Sequence, residues 1–234
     1  MFLQHPVISV DQLPEILWQI VLYRSVNKKD TFEQFGGIPR VEQWDEFSQF
    51  MFKWMVTDDK KAFFTSAHIN QGRVKTEDLV EYVRDKREVL AKKIRRSQCL
   101  EDVFQTLRTI KHIGDFLAWQ MTADLMELKL VHYNENTFTF LGPGARAGLQ
   151  KVLGQSALRD QLQSTKQLTR LLPGVLAALN VQYKHFLGRQ LTLKATEHAL
   201  CEFDKYWRAV QGECCTISIP YQPSKHHNLL ARGP

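Results

Sequence analysis

Apolar positions along this chain recur mostly at the three-to-four-residue spacing of helices and only once at the two-residue spacing of a strand. Leu13, Ile16, Leu17, Ile20 and Val21 predict an amphipathic helix over roughly residues 12–24. Val41, Trp44, Phe47, Met51, Trp54 and Met55 predict a second, its apolar face widened by Phe50 and Phe52. Thr76 reads as an N-cap with Glu77 and Asp78 in the first turn, where acids favour the helix dipole. That helix runs through Leu79, Val83, Leu90 and Ile94 to the basic end Lys92-Lys93-Ile94-Arg95-Arg96. Short helices are expected over Leu100–Thr109 and Asp115–Leu128, and longer helical stretches over Ala145–Leu153 and Leu158–Leu187, the latter interrupted near Pro173-Gly174. Thr192 caps a last helix over about 194–210. Ala62-Phe63-Phe64-Thr65 is expected to be extended, and Val131–Leu141 has strand-like texture, with Thr137-Phe138-Thr139-Phe140 alternating. The prediction is an all-α fold with at most a minor extended element. Residues 1–211 are expected to form one helical domain, with room for two lobes around a cleft, and 212–234 an irregular tail.

Composition narrows the class without changing this picture. At 234 residues, 44% hydrophobic and 24% charged, the chain can bury a core unaided. No apolar run approaches the roughly 20 residues needed to span a bilayer, and the N-terminus lacks a signal-peptide pattern. An intracellular protein follows: cytoplasmic if bacterial or phage-encoded, nuclear if eukaryotic. Cys99, Cys201, Cys214 and Cys215 form no disulfide framework or zinc spacing and read as unpaired, mostly buried thiols. The eight His are scattered, so neither a metal nor a cofactor is expected.

Charge is segregated. Residues 60–96 hold eleven basic and five acidic side chains, and 141–212 hold ten and four, each block netting +6. Residues 1–59 net −4 and 97–140 net −3. Two basic blocks in an otherwise acidic chain suit a polyanion, although solvated helix faces would give the same count.

Four stretches carry candidate chemistry. Leu107-Arg108-Thr109-Ile110-Lys111-His112-Ile113-Gly114-Asp115-Phe116-Leu117-Ala118 places a turn between two short helices, like a helix-hairpin-helix whose backbone N–H groups grip a phosphate. His112 stands where such a turn usually has its first glycine, and an ordinary helical hairpin remains the alternative. Gly142-Pro143-Gly144-Ala145-Arg146 feeds a helix whose first N–H groups are free for an anion or a base edge. In Glu197-His198-Ala199-Leu200-Cys201-Glu202-Phe203-Asp204-Lys205-Tyr206, His198, Glu202 and Lys205 share one helix face, and Glu197, Cys201, Asp204 and Arg208 the next. That is either an amphipathic surface or a carboxylate held beside a base pocket. Arg24 and Asn27, at the end of the first helix, either cap it or bind a base or phosphate.

Together these stretches resemble the helical family named for α-glutamyl/putrescinyl thymine pyrophosphorylases and for the helical domain of 5-hydroxymethyluracil DNA kinases, over roughly residues 15–210. That family is similar to helix-hairpin-helix DNA glycosylases, and a phage-defence glycosylase of glucosylated 5-hydroxymethylcytosine belongs near it. The resemblance implies a glycosylase-like helical fold acting on double-stranded DNA that carries modified pyrimidines. It also implies base flipping at a cost of a few kcal/mol; Trp119, Phe138 and Phe140 either line the pocket or, as buried aromatics more often do, belong to the core. Helix-hairpin-helix glycosylases place a catalytic Asp about twenty residues after the hairpin Gly. Here that interval from Gly114 reaches Glu135, with Asp124, Glu202 and Asp204 as rival carboxylates. Lys111, His112, Gly114, Gly142, Gly144, Arg146 and Lys205, with Arg24, Asn27 and Trp119, are the expected DNA and substrate contacts.

The favoured expectation is a monofunctional glycosylase that excises a bulky 5-modified pyrimidine and leaves an abasic site. The alternatives are a transferase or pyrophosphorylase acting on the 5-substituent of hydroxymethyluracil in DNA, and a non-catalytic module that binds modified DNA. A kinase ranks below these, because no phosphate-binding loop is visible.

Overall fold

The computed structural model describes residues 9–56, 63–64, 72–153, 170, 173–174, 176–178, 181 and 191–212. Among these there is no strand; the fold is all-α. The helices are α1 (Leu13–Val26), α2 (Lys29–Phe35), α3 (Trp44–Val56), α4 (Gly72–Arg95), α5 (Leu100–Arg108), α6 (Asp115–Glu127), α7 (Pro143–Leu153) and α8 (Leu193–Val210).

α1 is the centre. Pro14 opens it with a preset φ, and Leu13, Leu17, Trp18, Val21, Leu22 and Val26 are fully buried. This helix is apolar on nearly every side because α4 and α6 both pack against it. Asn27 ends it in a left-handed conformation (φ 50°), its N–H donating to the Tyr23 carbonyl at 2.6 Å. Around it lies an aromatic cluster: Trp18 meets Trp44 edge-on at 6.1 Å, and Phe47 stacks on Phe32 at 5.6 Å and meets Phe35 at 4.9 Å.

α7 and α8 lie against each other and close a smaller apolar cluster of Leu141, Ala145, Leu149, Leu193 and Leu200. Two glycines set their separation. A Cβ on Gly144 would stand 2.6 Å from Cys201 Sγ, and one on Gly148 would overlap the Leu200 carbonyl. No side chain fits at Gly148 unless the helices part.

Several expectations need correction. Thr76 is not an N-cap: α4 begins a turn earlier, at Gly72, and Thr76 is buried inside it. The alternation at 137–140 does not mark a strand. Phe138 and Phe140 pack on Phe104, at 5.2 and 5.5 Å, from a segment without regular secondary structure. Phe63 is helical and Phe64 a bend rather than extended, both buried; Ala62 and Thr65 lie outside the described residues. Pro173 and Gly174 are helical, and most of 158–187 lies outside the described residues, as do 213–234 with Cys214 and Cys215. Cys99 is exposed and Cys201 half-buried, both as free thiols, so the expected burial fails at Cys99. No described helix is long and apolar enough to cross a membrane.

Candidate functional site

The buried face of α8 follows Leu193, Thr196, Glu197, Leu200 and Asp204, so the packing phase of this helix includes two carboxylates. Thr192 starts the helix by accepting a hydrogen bond from the Ala195 N–H at 3.2 Å. The first turns of α8 then meet α6 and the 134–142 connection, and the charged groups gather there.

Glu197 is 2% exposed. Its Oε2 accepts from Trp119 Nε1 of α6 at 3.3 Å, and its Oε1 accepts from the Gly142 N–H at 3.3 Å. Burial pushes its carboxyl up to about 7, against the pull of those two hydrogen bonds. His198, half-exposed, places Nε2 3.6 Å from Glu197 Oε2. Partial burial, then the charges of Lys194 and Arg24, hold its imidazole below the ordinary value, while Glu127 and Glu135 pull the other way.

Two further ion pairs border this centre. The guanidinium of Arg24 forks onto Asp124, Nε to Oδ2 at 2.6 Å and Nη2 to Oδ1. Such a two-bonded pair fixes α1 against α6. Lys194 is buried, and its Nζ bonds Glu127 and also Glu135 Oε1 at 2.8 Å. Burial opposes its charge, but those carboxylates outweigh it and hold the amine above its ordinary value. Glu135 also accepts from Thr192 Oγ1 at 2.7 Å, and Asn136 Oδ1 accepts from the Leu193 N–H at 2.9 Å. The 134–137 loop is thereby pinned to the start of α8.

The structure thus brings Arg24, Asp124, Glu135, Trp119 and Gly142 around the first turns of α8. Asn27 ends α1 nearby in sequence. Gly142 lies against the Phe116 ring of α6, which brings the second expected glycine turn beside the hairpin. In that hairpin His112 takes φ 67°, the left-handed conformation a glycine would supply, Lys111 is exposed, and Gly114 stands at the start of α6 with open space where a Cβ would be. Gly144 faces Cys201, and half-buried Arg146 lies in the first turns of α7, its side chain without an ion pair among the described residues. The remaining candidates sit further along α8. Asp204 is buried between Lys151 and Arg208, whose Nε lies 3.0 Å away. Glu202 and Lys205 form an exposed pair at 2.6 Å.

Glu197, Lys194 and His198 were not among the expected site residues. A signal existed for Glu197: Leu193 and Leu200 set the buried phase of α8, and Glu197 falls within it. Among the described residues no group of three or more His, Cys, Asp or Glu is arranged to hold a metal.

A family model described as "5-hmdU DNA kinase, helical domain" matches residues 2–215. The chain is 25% identical over 162 residues to a 5-hmdU DNA kinase of Bacillus phage SP10, an alignment covering 66% of this chain and 25% of that protein. The aligned part is therefore about a quarter of that relative's length. No solved structure matches.

These matches overturn the expected glycosylase. A kinase is a transferase, and neither match is to a hydrolase of DNA bases. Glu135, the carboxylate on which base excision rested, is tied to Lys194 and Thr192. The low rank given to a kinase is corrected with it. A missing phosphate-binding loop speaks only to where a phosphate donor binds, and the matched family is defined by a helical domain.

Proposed function

We propose, from the premise that this chain belongs to the 5-hmdU DNA kinase helical-domain family, that it handles DNA and base for group transfer to the 5-substituent of hydroxymethyluracil in DNA. One observation carries the reading: Glu197, a buried carboxylate with its pKa pushed up to about 7, sits where stretches distant in sequence converge. A carboxylate perturbed by burial beside specific partners is a functional-site candidate.

In this reading residues 1–211 act as one domain inside the cell. Lys111, His112, Gly114 and Arg146 meet the sugar–phosphate backbone, and the base turns out of the stack toward Trp119, Arg24, Asp124 and the start of α8. Glu202, Asp204 and Lys205 serve the helix rather than the base. Transfer of a phosphoryl group would form a bond from the hydroxymethyl oxygen to phosphorus, break the bond from that phosphorus to the donor's leaving oxygen, and release the hydroxyl proton to a base. A carboxylate and an imidazole at the same helix start are suited to such a proton.

Duplexes that differ only in one base, hydroxymethyluracil or thymine, test this by fluorescence anisotropy. The expected outcome is tighter binding of the hydroxymethyluracil duplex, weakening as salt rises. Equal affinity for the two duplexes removes the reading. Nucleoside mass spectrometry after adding a nucleoside triphosphate then separates transfer, seen as a heavier nucleoside still joined to deoxyribose, from binding alone.

A further inference from the structure

Most charged groups around the start of α8 are committed to one another. Arg24 is held by Asp124, Lys194 by Glu127 and Glu135, and Glu197 receives two N–H groups. His198 differs. It is half-exposed, its Nε2 faces the Glu197 carboxylate at 3.6 Å, and its Nδ1 has no hydrogen-bond partner among the described residues. That distance is beyond a hydrogen bond; in the tautomer with its N–H on Nε2 the Nδ1 lone pair is an acceptor. Partial burial, then Lys194 and Arg24 against the opposite pull of Glu127 and Glu135, holds the imidazole below its ordinary value. The site therefore offers a solvent-accessible ring nitrogen among groups that are otherwise occupied.

We propose that His198 Nδ1, beside the buried Glu197 at the start of α8, accepts the hydroxyl hydrogen of the 5-hydroxymethyl group and so distinguishes hydroxymethyluracil from thymine. This rests on the proposed function, since it names the atom that reads that substrate. Thymine presents a methyl group at the same position and leaves the acceptor without a partner.

The test measures the affinity ratio of hydroxymethyluracil to thymine duplexes for the full chain and two variants. A wild-type ratio of about three- to tenfold is expected, in line with the net worth of one hydrogen bond. His198→Ala is expected to bring the ratio to about one, and His198→Asn, whose amide oxygen can stand near Nδ1, to restore part of it. A 5-methoxymethyluracil duplex, which can accept but not donate, is expected to lose the wild-type preference. A ratio that survives His198→Ala, or a methoxymethyl duplex bound as tightly as the hydroxymethyl one, overturns the inference. A wild-type ratio of one instead brings down the functional reading beneath it, so the two failures are distinguishable. His198 is half-exposed, and circular dichroism on each variant checks that the helices persist.

Discussion

The aromatic cluster around α1 and the charged seam at the start of α8 are both buried, yet they are held by different physics. Around Trp18, Trp44 and Phe47 nearly every group is apolar, and the few polar atoms find a partner, as when Trp18 Nε1 donates to the Val80 carbonyl at 3.2 Å. At the seam, Lys194 and Glu197 are 6% and 2% exposed and keep ionisable groups there at a desolvation cost. A core built only for stability would replace such groups with hydrocarbon at little loss. The first region is held by hydrocarbon burial and the second by paired charges and hydrogen bonds.

The comparison breaks most severely at the cluster. Trp18→Ala is expected to cost about 3–5 kcal/mol, because it removes a fully buried indole and leaves a cavity. Urea denaturation checks this, and a cost below 1 kcal/mol would mean that the cluster is not the stabilising element described.

The seam is sharpened by pH. Glu197 titrates near 4.5 when unfolded and at about 7 when folded, so the folded state binds more protons between those values. Its contribution is complete below about pH 4.5 and is lost as pH rises through 7, a fall of about 3 kcal/mol. Glu197→Gln is expected to remove that slope. Parallel denaturation curves for wild type and variant at pH 5 and pH 8 test the sign as well as the size.

The smallest effect is expected outside both regions. Lys205→Ala breaks an exposed pair with Glu202 and is expected to change stability by less than about 0.5 kcal/mol. A thermal melt that shifts by many degrees would show that this end of α8 bears more than a surface pair.

Periodicity made α1, α3, α5, α6 and α8 legible, since each buries one or more faces and shows that burial in its spacing. It misread the start of α4, where Thr76 looks like a cap but lies within the helix. It passed over α2, whose seven residues are too few to show a period. It took residues 137–140 for a strand because Thr and Phe alternate there, yet Thr139 is buried between the half-buried Phe138 and Phe140. Within the site, Arg24, Asp124, Trp119, Gly142 and Glu135 were singled out individually and are brought together by the fold. Their pairings could not be read, since Arg24 and Asp124 stand 100 residues apart. Glu197 looked like a solvated residue on an amphipathic helix, and only its phase relative to Leu193 and Leu200 said otherwise.

The bare backbone at Gly144 and Gly148 works as a spacer of zero thickness. Because α8 rests directly on the main chain of α7 at Gly148, the backbone from which Glu197 reaches the Gly142 N–H is held at contact distance. One added methyl group at Gly148 would therefore act as a shim, detuning the acidic group a full turn away without touching it.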